Sequence, residues 1–196
     1  MELNYTIERD LREAAVMADM LVPYVYEDTL YAKTSSNMPS LTIGALLLRL
    51  RRLRALRDSL TDAQRDQWAK VEADHQDAQK EWREHYQNKL VHEAESRLNA
   101  MKPYFEECRE NPRLCESAYL PEALRRTIVA EILLALASLN RPLTPLERQA
   151  QKIDLLLRGF VQPCDFIWDA ALRGIYPPES YWWLYHRPTT QETAAE

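Results

Sequence analysis

Glycine is the scarcest informative residue in this chain, with three among 196 positions, Gly44, Gly159 and Gly174, all far apart. A loop that cradles phosphate needs clustered glycines, so that several backbone N–H groups can approach the anion. A P-loop and a dinucleotide-binding turn are therefore excluded. Cysteine is equally sparse: Cys108, Cys115 and Cys164 are an odd set of three, which cannot all pair within one chain. Cys108 and Cys115 bracket an Asn-Pro turn, a spacing that permits a small disulfide loop. A reducing compartment would oppose that bond, and the first residues, MELNYTIERD, hold no apolar signal-peptide core. Long hydrophobic runs are missing as well. The longest, TIVAEILLALASL, is too short to span a bilayer and is interrupted by Glu131. The sequence thus predicts a cytoplasmic protein with reduced thiols and no membrane association.

An excess of positive charge is also lacking. The formal charge of −5 argues against bulk affinity for nucleic acid or anionic lipid. The acid is concentrated in the middle, where residues 62–110 carry eight basic against twelve acidic side chains. With 46% hydrophobic and 28% charged residues, the chain has the composition of a folded globular protein. Its length suits one core better than two.

What is present is helical punctuation. Ile7, Leu11, Ala14, Ala18 and Leu21 recur at three-and-four spacing after a candidate cap, Thr6. Ser40 is a candidate cap for LTIGALLLRLRRLRALRDSL, in which Leu46, Leu50, Leu53, Leu56 and Leu60 form one stripe. Thr61 and Gln64 have capping-box spacing, and neither glycine nor proline follows until Pro103. An unbroken helix over 62–102 would run ~60 Å, against a radius of gyration of ~16 Å for a compact chain of this length. It must project, pack along a partner, or break, with Gln87-Asn88 as the expected weak point. Pro121 is placed as a first helical residue of the core helix through Leu139. Thr144, Pro145 and Glu147 predict a capped start, and Gly159 a stop. No strand is expected. The fold class is all-α: a single helical-bundle-like domain of about six helices over residues 1–188, with a disordered polar tail over 189–196.

The candidate sites follow from residues that fit this pattern poorly. Glu131 is the one ionisable residue between Arg126 and Arg141, in the most apolar helix, and a buried carboxylate must be paired, hydrogen-bonded or protonated. Arg49, Arg57 or Arg125 is the expected partner. Glu72 and His75 share a helix face, and His85 follows on the same segment; such carboxylate–histidine pairs serve bundle metal sites when they occur twice. Here the pair occurs once, so a metal ion is a candidate only if Glu72, His75, His85 and Glu131 converge; no other cofactor is expected. HEAES lacks the second histidine of a zinc-protease helix. No complete catalytic constellation is legible, which points away from an enzyme. The five arginines of RLRRLRALR, Arg49 to Arg57, are a third candidate, for nucleic acid or an acidic partner, although they point all around their helix.

PPESYWWLYHR places Tyr181, Trp182, Trp183 and Tyr185 close together. A short helix after Pro178 would set Tyr181 and Tyr185 on one face and the tryptophans on others. Part of the segment is expected to seal the core and part to meet a partner, because tryptophan and tyrosine are frequent binding anchors. With Trp68 and Trp82 on the 62–102 helix, these rings form the expected interface. The leading functional expectation is a non-enzymatic interaction protein, self-associating or a subunit of a larger complex.

Overall fold

Side-chain caps set the first turns. The structure, a computed structural model, describes residues 4–35 and 37–189. Thr6 accepts from the Arg9 N–H at the start of α1 (Ile7–Asp19), and Thr61 and Gln64 close the reciprocal capping box of α4 (Asp62–Glu81). Between them lie α2 (Leu21–Tyr26) and α3 (Ile43–Ala55). The cap of α3 is Thr42, which takes the Ala45 N–H; Ser40 lies outside the helix. In α8 (Thr144–Arg158) Thr144 is the first helical residue, not the cap, and the cap residue Leu143 makes no side-chain cap hydrogen bond. Gly159 ends α8 as expected, in right-handed backbone.

The acidic segment is helical but is not one helix. At Trp82 (φ −112°, ψ 33°) α4 gives way to α5 (Arg83–Ala100), and α6 (Lys102–Glu110) follows Met101. Gln87-Asn88 stays inside α5, with Gln87 buried. The break at Trp82 lets α4 lie on α1 while α5 packs on α7 (Pro112–Ser138), so the segment remains within the globule. Trp82 fills the bend, edge-on to Tyr26 with centroids 4.4 Å apart. Pro112, not Pro121, opens α7; Pro121 sits inside it with an exposed ring. The described residues form eight α-helices where about six were expected, because both the first and the middle helical segments divide.

The core is organised on α7, which touches α3, α5, α6, α8 and the C-terminal segment. A Cβ at Gly44 would fall 2.6 Å from Ile128 and 2.8 Å from Ile132, so α3 crosses α7 where only glycine fits. Enclosed Glu93 accepts the Gly44 N–H at 2.8 Å and pairs with Arg97 at 2.8 Å. One cluster of buried apolar residues runs from Leu11 to Leu184.

Cys108 and Cys115 form a disulfide, their Cα atoms 4.9 Å apart. The expectation of reduced thiols therefore fails for this pair: the extended Asn111 (φ −141°, ψ 90°) reverses the chain between α6 and α7. Cys164 is the free cysteine among the described residues. A small antiparallel ribbon also forms, β1 (Val161–Pro163) on β2 (His186–Pro188), with Gln162 opposite Arg187. Three-residue strands that each end in proline carry no alternation to read. The fold is all-α with this ribbon as its one described sheet. The expected tail lies, apart from Thr189, outside the described residues. No helix among the described residues is long and apolar enough to cross a membrane.

Candidate functional site

The aromatic segment adopts a 3-10 turn over Trp182–Tyr185 and then enters β2. This corrects the short α-helix expected after Pro178. Tyr181 precedes the turn in non-helical backbone (φ −130°, ψ 44°), and both it and Trp183 are buried. Trp183 is 2% exposed. Its indole N–H donates to Thr127 Oγ1 at 2.9 Å, its carbonyl accepts the Tyr119 hydroxyl at 2.6 Å, and the Arg126 guanidinium lies 4.1 Å from its ring centroid. Trp183 and Tyr181 are core residues, which removes them from any interface that needs free rings. Trp182 and Tyr185 stay half-exposed, Trp182 lying between the Arg158 guanidinium at 3.9 Å and the His186 ring at 5.1 Å. Trp68 and Trp82 are half-buried, yet both indole nitrogens are enclosed without a hydrogen-bond partner.

Glu131 is buried as expected, but its partners differ from those expected. The Tyr181 hydroxyl donates to Glu131 Oε1 at 2.7 Å, and Arg51 Nε lies 3.6 Å from the same oxygen. Burial raises the Glu131 pKa above the ordinary carboxylate value, and Arg51 and Tyr181 offset part of that rise. Arg49 instead turns to α1, donating to Glu13 at 2.8 Å through Nε. Arg125 pairs with Glu122 on its own helix, and Arg57 with exposed Asp58. The reason is helix rotation. The leucine stripe of α3 faces the core, with Arg49 on its α1 side and Arg51 on its α7 side. Arg52 is buried at 1% exposure, its Nε donating to the Tyr176 hydroxyl at 3.0 Å, its guanidinium 5.1 Å from Trp168. Arg49 and Arg52 therefore face inward and are withdrawn from the arginine face proposed for nucleic acid.

Around Glu131 the structure gathers two of the residues singled out from sequence. A cavity of about 320 Å³ is lined by Arg51, Arg54, His75, Gln76, Gln79 and Glu131, among others. His75 shares a hydrogen bond with the Tyr86 hydroxyl at 2.7 Å, and its pKa is lowered to about 4 by burial and then by the Arg54 charge. Its imidazole is neutral at pH 7. Glu72 reaches this site only through Arg54, which donates to it at 2.5 Å. His85 is elsewhere, exposed against Tyr26 with centroids 5.4 Å apart. The four donors proposed for a metal thus do not converge, and no three histidine, cysteine or acidic side chains among the described residues stand close enough to hold an ion.

A second groove, of about 430 Å³, continues from this cavity along α7 and shares Arg51 and Leu134 with it. Ala130, Ala137 and Trp183 also line it, with Glu147 at its far edge. Leu134 is 54% exposed. This feature is not legible in the sequence, because TIVAEILLALASL looks uniformly buried; only the contacts of α7 show which leucine is left outside. Comparison with protein-family models, with curated proteins and with solved structures finds no match for this chain.

Proposed function

We propose that this is a non-enzymatic helical interaction protein that self-associates through the outer face of α7. The observation that carries the reading is Leu134, more than half exposed on the central helix of the core. Small residues, Ala130 and Ala137, flank it one turn to either side, and Arg51 and Glu147 supply one charge of each sign at the edges. A two-fold pairing places the same patch on both copies. Each Leu134 then seats between the alanines of the other copy, and each Arg51 can meet a Glu147. Ser180, Tyr181 and Trp183 of the C-terminal segment border this face, while half-exposed Trp182 and Tyr185 pack against Arg158 and Phe166 instead. A cytoplasmic setting belongs to the same reading, and burial of Cys108 and Cys115 shields their bond from thiolate attack there.

The test is sedimentation of the full chain over a range of concentrations, beside Leu134→Glu. The proposal expects a concentration-dependent dimer for the natural chain and a monomer with unchanged helicity for the variant. A natural chain that stays monomeric throughout overturns self-association. A variant that dimerises equally well overturns the choice of face.

The shared placement of Glu131 and His75 favours a second reading: a small-ligand site inside the cavity, acting as an enzyme or a sensor. Native mass spectrometry of protein purified without chelator separates the two readings. Added mass lost in His75→Ala supports the cavity, and a dimer without added mass supports the interface.

A further inference from the structure

Between α6 and α8 lies a separate cleft of about 650 Å³. Its apolar lining is buried Phe105 and Ile153 with Leu156, which is 38% exposed. Phe105 is held rigid by stacking on Phe160, with centroids 5.9 Å apart. The mouth is cationic. Lys102 stands at the start of α6, and Arg148 and Lys152 stand one turn apart on α8. Glu106 is the one carboxylate in the lining, so three cations meet a single acid. None of the three cations forms an ion pair with another described residue, although Arg49, Arg54, Arg97 and Arg126 all do. In a chain of formal charge −5, three such cations around one apolar cleft form a local reversal of sign. Leu155, 73% exposed, lies two turns from Arg148 on the same side of α8.

We infer that this cleft binds an amphiphilic phosphate monoester, its apolar body on Phe105, Ile153 and Leu156 and its phosphate between Lys102, Arg148 and Lys152. A dianionic head matches the excess of charge at the mouth better than a single carboxylate does, and guanidinium and ammonium donors are the side chains that hold phosphate oxygens. The volume is that of a small-molecule site. A soluble aryl phosphate and the headgroup of phosphatidic acid share this chemistry, and exposed Leu155 could contact the acyl region in the second case. The inference rests on a different face from the α7 groove and does not depend on self-association.

Titration calorimetry with naphthyl phosphate, with naphthol as its uncharged control, tests the full chain. Flotation with phosphatidylcholine vesicles, with and without phosphatidic acid, runs in parallel. Saturable binding of naphthyl phosphate but not naphthol is expected, weakened by about tenfold or more in the double variant Arg148→Glu, Lys152→Glu. Lys80→Glu, at an exposed position of α4, removes the same kind of charge elsewhere and should leave binding unchanged. Recovery with phosphatidic acid vesicles in addition identifies the lipid headgroup as the source; binding of the soluble ester alone identifies a free metabolite-sized phosphate. Failure to bind both probes, equal binding of naphthol, or equal loss in Lys80→Glu overturns the inference.

Discussion

Burying His75 beside Tyr86 and Arg54 holds its pKa near 4, against 6.5 for a free imidazole. As pH falls below 6.5, the unfolded chain takes up a proton that the folded chain refuses until about pH 4. The contribution of His75 is therefore fully present above that window and is lost as pH falls through it. The gap is worth on the order of 3 kcal/mol at most. His75→Gln keeps a polar side chain but cannot titrate, so its stability should fall less steeply with acid. Denaturant unfolding of both proteins across the window checks this, and parallel slopes would contradict it. Glu131 illustrates what single residues disclose. Its burial is legible because it stands alone among apolar neighbours. Its partner is not legible, because Arg49, Arg51, Arg52, Arg54 and Arg57 differ only by helix rotation, which packing sets. Glu93 and Arg52 escaped notice for a related reason: on helices rich in charge, sequence does not say which charge turns inward.

Elements were legible where local chemistry decides them. Thr6 and the Thr61–Gln64 box start helices because their side chains satisfy backbone donors close by. The break at Trp82 and the ribbon of β1 with β2 depend on partners far along the chain, and no local signal marks either. The Cys108–Cys115 bond is an element-level device as well, tying α6 to α7 across a separation of seven residues. Closing so short a loop restricts the unfolded chain by roughly 2–3 kcal/mol. Replacing both cysteines with serine should lower stability by about that amount, most visibly as loss of amide protection in α6. An unfolding midpoint that is the same with and without reductant would show that the bond contributes nothing.

For the whole molecule, the C-terminal segment acts as a cover that several distant elements require. The Tyr5 N–H donates to Asp169 at 3.1 Å, Arg52 depends on Tyr176 and Trp168, and Glu131 on Tyr181. A chain ended after Gly159 would expose these groups and open the Trp183 side of α7. Such a chain should retain helical circular dichroism, lose a sharp thermal transition and bind hydrophobic dye. A cooperative transition in the shortened chain would refute the dependence. The sealing role of this segment was legible in kind from its density of large aromatic side chains, and buried Tyr181 and Trp183 carry it. Which rings turn inward was not legible, because a helical period sets Tyr181 with Tyr185, whereas the fold buries Tyr181 with Trp183.

Translation is sequential, and residues 160–189 leave the ribosome after every helix they cover. At ordinary elongation rates this interval lasts on the order of seconds. Throughout it α7 has emerged while Thr127 and Glu131 still lack Trp183 and Tyr181. The nascent chain therefore passes through a state that presents an apolar helix to chaperones, and the emergence of Tyr181 and Trp183 releases it.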